Sequence, residues 1–146
     1  MMEIVPNKFY KMLCPRKNKS GNINVGLSNE PYLNWDYMRL AEDGKGISVK
    51  FVKMEDSGKY IIETDAANWG GYRFFALARE GGIYLQNESN AHVWDVIPVE
   101  DDLIAIQLMN SKACIGVGGA INPKDWVMAA EALYEGIFTW RLEPVD

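Results

Sequence analysis

Val93-Trp94-Asp95-Val96-Ile97-Pro98-Val99-Glu100 and Thr139-Trp140-Arg141-Leu142-Glu143-Pro144-Val145-Asp146 align as Trp, any residue, aliphatic, any residue, Pro, Val, acid, at an offset of 46 residues. A weaker copy, Val49-Lys50-Phe51-Val52-Lys53-Met54-Glu55, lies 45 residues upstream and keeps the alternating apolar positions and the closing acid without the Trp and Pro. A fixed period of this length marks internal repetition, in which each unit exposes an apolar face that only its neighbours can bury. The copies divide the chain into units of approximately 1–55, 56–100 and 101–146.

Within the units, apolar residues alternate with period two, the spacing of a half-buried strand. The pattern is read at Tyr10-Lys11-Met12, Ile23-Asn24-Val25, Tyr37 to Leu40, Tyr60-Ile61-Ile62, Tyr72-Arg73-Phe74, Ile83 to Leu85, Ile104-Ala105-Ile106, Cys114 to Val117 and Trp126 to Ala130. Turn clusters such as Asp43-Gly44-Lys45-Gly46 and Asn68-Trp69-Gly70-Gly71 separate these runs. The expectation is an all-β chain in one domain spanning 1–146, with four strands in each of three repeats, which is the plan of a β-trefoil. A short helix over Asp125 to Leu133, with its Ala-Ala-Glu-Ala run, is the competing local reading.

The chain has 146 residues, enough for one buried core. Its 20 acidic and 15 basic residues give a net charge of −5, which argues against a nucleic-acid partner. No basic segment followed by an apolar run opens the sequence, and no 18 consecutive residues are apolar, so the expectation is a cytoplasmic protein without membrane insertion, with release by a non-classical route left open. Cys14 and Cys114 are too few for a disulfide framework, and a single histidine, His92, leaves little for a metal centre or a nucleophile–base pair. No catalytic residue, metal or cofactor is expected, and the chain reads as a binding module rather than an enzyme.

The run from Trp94-Asp95-Val96 through Ile104-Ala105-Ile106 to Cys114-Ile115 resembles the ricin-B-like lectin superfamily, and is similar in spacing to fungal β-trefoil lectins and mycocypin-type protease inhibitors. The resemblance implies a β-trefoil that binds glycans or glycoproteins, or alternatively a protease. The Gln that ricin-type lectins carry two residues before the Trp is replaced here by His92 and Phe138, so no sugar site transfers by position.

Sugar binding needs an aromatic face against the apolar side of a pyranose and polar groups for its hydroxyls. Three turn-located clusters offer both, one per repeat: Asn34-Trp35-Asp36, Asp65 with Asn68-Trp69, and Asn122 with Asp125-Trp126. The plainer reading has these Trp residues closing the barrel or capping hairpins, and Trp94 and Trp140, inside alternating strands, belong to the core. The loop carrying Arg16, Lys17 and Lys19 is the candidate inhibitory loop of the protease alternative, against the plainer reading of a solvated turn. A protein-interaction module is the third reading, and self-association as a homodimer would raise avidity for repeated ligands.

Overall fold

The computed structural model describes residues 3–16, 21, 23–41, 46–55, 58–100, 102–117, 125–131 and 138–145. The ordered elements are twelve strands: β1 (Phe9–Leu13), β2 (Leu27–Tyr32), β3 (Trp35–Leu40), β4 (Ser48–Lys53), β5 (Lys59–Thr64), β6 (Phe74–Leu77), β7 (Ile83–Gln86), β8 (Trp94–Glu100), β9 (Leu103–Leu108), β10 (Cys114–Gly116), β11 (Met128–Ala130) and β12 (Trp140–Pro144). One 3-10 turn, Glu88–Asn90, precedes β8, and the side chain of Asn87 caps it by accepting from the Asn90 amide.

Six strands form a closed antiparallel ring. β1 pairs with β4, β4 with β5, β5 with β8, β8 with β9, β9 with β12, and β12 returns to β1 through Tyr10↔Pro144 to Leu13↔Arg141. Closure leaves the ring without a free edge, which satisfies the backbone groups an open sheet would present to water. Three hairpins, β2–β3, β6–β7 and β10–β11, are inserted between ring strands and cover one end of the barrel. The start of β1 and the end of β12, where Tyr10 meets Pro144, lie at the other.

The alternation seen in the sequence builds the core. Met12, Val49, Phe51, Ile62, Trp94, Ile104, Ile106, Trp140 and Leu142 turn inward, and from the hairpins Leu27, Met38, Leu40, Ile83, Leu85, Ile115 and Val127 join them in one buried cluster. Trp94 and Trp140 are core residues, as expected from their strands. The Trp140 indole N–H donates to the Ile115 carbonyl at 2.9 Å, which ties hairpin β10–β11 to the ring.

This pairing corrects the expected β-trefoil of three four-stranded repeats. The all-β class stands, but the architecture is a closed six-stranded barrel with extra strands. Strand pairing crosses the proposed repeat boundaries, joining β4 to β5 and β8 to β9, the latter with a register shift between Pro98 and Glu100, so the four-stranded segments are not separate units. The hairpins are also unequal, with six paired positions in β2–β3, four in β6–β7 and three in β10–β11. Where a helix was the competing reading, Met128–Ala130 is a strand.

Among the residues with positive φ, Gly46 and the β2–β3 turn bear most directly on the hairpin. Gly46 has φ +73°, and a Cβ there would lie 2.6 Å from the Leu27 amide nitrogen, beneath the Ile47 N–H bond to the Leu27 carbonyl. The β2–β3 turn places both central residues, Leu33 and Asn34, at positive φ (53° and 68°), as a type I′ turn requires. Leu33 is a poor residue for that conformation and is 71% exposed, so no packing offsets the strain. Chemical denaturation is expected to show Gly46→Ala destabilised by roughly 3 kcal/mol. In the same assay Leu33→Asn, which tolerates the left-handed conformation, is expected to gain about 1 kcal/mol.

Candidate functional site

The three hairpins converge at one point of the capped end. The Val127 amide donates to the Met38 carbonyl at 3.0 Å, the Ile83 amide to the Val127 carbonyl at 3.0 Å, and Tyr37 stands opposite Tyr84 between β3 and β7. The bridges Arg39↔Trp126 and Gly82↔Met128 complete the junction. Strand alternation sends Met38, Leu40, Ile83, Leu85 and Val127 into the core, so their neighbours Tyr37, Arg39, Tyr84 and Trp126 emerge on the outer face.

An open cleft of about 250 Å³ sits on this junction, lined by Tyr32, Tyr37, Glu80, Gly82, Trp126, Val127 and Met128. Trp126 is 42% exposed and contacts Tyr32 and Tyr37, at ring-centroid distances of 6.0 and 6.3 Å. The Arg39 guanidinium lies over the Trp126 ring, 5.2 Å from its centroid, and is paired with Glu30. Gly82 gives the Tyr37 ring its place: a Cβ there would stand 3.3 Å from two ring carbons. The Tyr37 hydroxyl donates to Glu80, and burial together with that carboxylate pushes its pKa up to about 12. The hydroxyl therefore remains a donor at neutral pH, holding the carboxylate at the rim of the cleft.

The aromatic surface continues beyond the cleft. Tyr37 stacks on Tyr84 at 5.6 Å, Tyr84 meets Trp35 edge to face at 5.3 Å, and Trp35 leans on Tyr72 at 5.4 Å. Gln86 donates from Nε2 to the Tyr84 hydroxyl at 3.1 Å, so polar atoms are interleaved with the rings.

The candidate residues redistribute accordingly. Asn34-Trp35-Asp36 and the Asp65, Asn68, Trp69 group meet in one place: buried Asp36 accepts from the Asn68 backbone amide at 2.8 Å and also from its side-chain amide. Asp36 is thus a brace between two turns and is closed to a ligand. Asp65 accepts from the Ser48 amide at 3.1 Å, a structural bond as well. Trp35 and Trp69 are half-buried, Asn34 and Asn68 exposed. Of the third group, Trp126 is the exposed ring of the cleft, the half-buried Asp125 gives its carbonyl to the Leu40 amide, and Asn122 lies outside the described residues. The sequence reading missed Tyr32, Tyr37, Tyr84 and Glu80. Their one local signal was alternation of Trp35, Tyr37 and Arg39 on the face opposite the apolar one.

Arg16 is exposed, while Lys17 and Lys19 lie outside the described residues, so the candidate inhibitory loop gains no structural support. Among the described residues no group of three or more His, Cys, Asp or Glu is placed to hold a metal, and no helix is long and apolar enough to cross a membrane. Cys14 is buried and Cys114 half-buried. Burial raises both thiol pKa values, which disfavours the nucleophilic thiolate.

No protein-family model and no curated protein matches the chain. Its fold is similar to that of lysenin, seen in the crystal structure of the lysenin pore with a TM-score of 0.75 at 14% identity, over 99% of this chain and 49% of that one. A complex of lysenin with phosphocholine gives 0.69 at 14% identity, over 99% and 47% of the two chains. The chain therefore spans about half the length of the lysenin chains it matches. Type II water-soluble chlorophyll-binding proteins match at 0.73 and 11% identity, over 98% of this chain and 94% of theirs. A GH43 β-1,3-galactosidase matches at 0.71 and 19% identity, over 96% of this chain and 28% of that enzyme.

At these identities the likeness is one of fold. The resemblance to ricin-B-like and fungal β-trefoil lectins and to mycocypin-type inhibitors is corrected: these barrel proteins are the structural neighbours, and the Trp-x-aliphatic pattern that suggested the lectins is the inward alternation of barrel strands. The lectin and protease-inhibitor readings lose the support that the resemblance lent them.

His92, beside the cleft-bearing hairpin, offers a separate test of the local geometry. Its Nδ1 accepts from the Leu77 amide at 3.1 Å, and its own amide donates to the Phe75 carbonyl at 3.2 Å. Burial lowers its pKa, because protonation would charge a desolvated ring and turn the acceptor into a donor facing another donor. A folded-state pKa below the unfolded value of about 6.5 means the associated stability is present above that pH and lost as pH falls through the folded pKa. Denaturation at stepped pH is expected to show this acid-side loss, and to show less of it in His92→Asn, whose side-chain oxygen can accept without titrating.

Proposed function

We propose that this is a small-ligand-binding β-barrel protein that acts by binding rather than catalysis, and that its ligand is carbohydrate. The observation that carries the reading is the exposed Trp126 ring, flanked by Tyr32 and Tyr37 over a 250 Å³ cleft with Glu80 at its rim. Aromatic faces suit the C–H faces of a pyranose, while the carboxylate and tyrosine hydroxyls can hydrogen-bond its hydroxyls. The site is smaller than the sequence reading proposed. Trp126 remains from the three clusters at the cleft itself, Asp36 is withdrawn into a structural bond, and Tyr32, Tyr37 and Glu80 are added.

A second reading is a quaternary ammonium ligand, favoured by aromatic rings grouped beside a carboxylate and by the lysenin structure that holds phosphocholine. It is the weaker of the two, since the Arg39 cation already occupies a face of Trp126 and lowers that ring's attraction for another cation.

A glycan array followed by tryptophan-emission titration tests the proposal. The expected result is a saturable hit that perturbs emission and loses at least about tenfold in affinity, or about 1.4 kcal/mol, in Trp126→Ala. A clean array together with saturation by choline chloride would replace the glycan with the cationic ligand. A hit whose affinity is unchanged in Trp126→Ala would move the site away from the cleft.

A further inference from the structure

The carbohydrate reading leaves open how much of the molecule a glycan touches. We propose that the binding surface is the whole strip of rings from Trp126 to Tyr72, and that it takes a linear, uncharged oligosaccharide several sugar units long rather than a single terminal sugar. This rests on the carbohydrate reading above and extends the same site.

Three observations carry it. The first is continuity: Trp126, Tyr37, Tyr84, Trp35 and Tyr72 form an unbroken series with ring-to-ring steps of 5.3 to 6.3 Å. Tyr37 and Trp35 stand two residues apart on one face of β3 with Tyr84 of β7 beside them, and Trp126 and Tyr72 flank them from the residues preceding β11 and β6. The ring planes turn by 26° to 89° from one to the next, so an extended chain lying across this surface would meet some rings by their faces and others by their edges. All five rings are half-buried or exposed, and none is sealed in the core.

The second is chemistry along the strip. Tyrosine hydroxyls recur beside the rings, the Gln86 amide reaches the Tyr84 hydroxyl, and exposed Asn34 and Asn68 stand near Trp35, where the Asp36 brace fixes the Asn68 backbone. Polar groups therefore accompany the apolar path, as a polyhydroxylated chain requires. The Gln86 and Asn68 side-chain amides are already paired with Tyr84 and Asp36, so exposed Asn34 and the tyrosine hydroxyls are the groups left to a sugar.

The third is charge complementarity. Arg39 is neutralised by Glu30, and Glu80 is the carboxylate of the cleft, in a chain whose net charge is −5. Arg73 and Arg79 adjoin Tyr72 and Glu80 in sequence, but against a net charge of −5 the whole chain offers an acidic glycan no long-range attraction, which makes a neutral chain the matching ligand.

The test is isothermal titration calorimetry of the full chain with cello-oligosaccharides and chito-oligosaccharides of one to six units. Affinity is expected to rise at least tenfold from the monosaccharide to the tetrasaccharide and then level off. Tyr72→Ala, at the far end of the strip, should remove most of that gain. Trp35→Ala should do the same, with circular dichroism confirming that each variant is folded. Trp126→Ala should weaken binding at every length.

Equal affinity at all lengths, with continued dependence on Trp126, would overturn the extended strip and leave the cleft as a single-sugar site. A length-dependent gain that survives both Tyr72→Ala and Trp35→Ala would overturn it as well, as would preference for an acidic glycan. If neither series binds while another glycan from the array does, the neutral linear ligand is wrong and the carbohydrate reading stands. If no glycan of any kind binds, both fall together.

Discussion

Everything in this structure depends on the pairing of β1 with β12. Tyr10, Lys11, Met12 and Leu13 meet Pro144, Glu143, Leu142 and Arg141, joining the two ends of the chain and converting a sheet into a ring. Without that seam, β1 and β12 would each present a free edge, and the interior shared by Met12, Phe51, Trp94, Trp140 and Leu142 would open to water. The contact is among the most distant in sequence that the chain makes. Its loop-closure entropy must be met before the barrel core can repay it, which places this fold among those with slow, non-local assembly.

The ring in turn fixes the hairpins. The hairpins are tied to one another by single backbone bonds, Val127 to Met38 in the middle of β3 and Ile83 to Val127. Because both faces of β3 and β7 are committed, with apolar side chains inward and aromatic ones outward, the cleft is a direct product of barrel packing. Moving Tyr37 off its position over Gly82 would disturb a core strand as well as the cleft.

The strands were legible in the sequence because alternation is local: Val49-Lys50-Phe51 and Ile104-Ala105-Ile106 announce their inward residues directly, and the Trp94 and Trp140 motifs were correctly placed in the core. The arrangement of those strands was not. A period of 45 residues records similar local sequence, but it does not specify which strands pair, and the reading of three four-stranded repeats assigned boundaries that the hydrogen bonding ignores. The site suffered for the same reason. Asp36 and Asn68 stood in separate candidate clusters and turned out to bind each other, while Tyr37, Tyr84 and Trp126 came from three different hairpins. Grouping residues by proximity along the chain could find the aromatic members of a surface. It could not find which rings would touch.

The seam between the first and last strands also determines how the molecule can be presented. The start of β1 and the end of β12 lie side by side at the end opposite the hairpin cap, so a segment leading into or out of either strand there holds the cleft outward, away from that segment. The same adjacency would let a short linker join β12 to β1 directly and the ring be opened elsewhere, without altering a residue that lines the cleft.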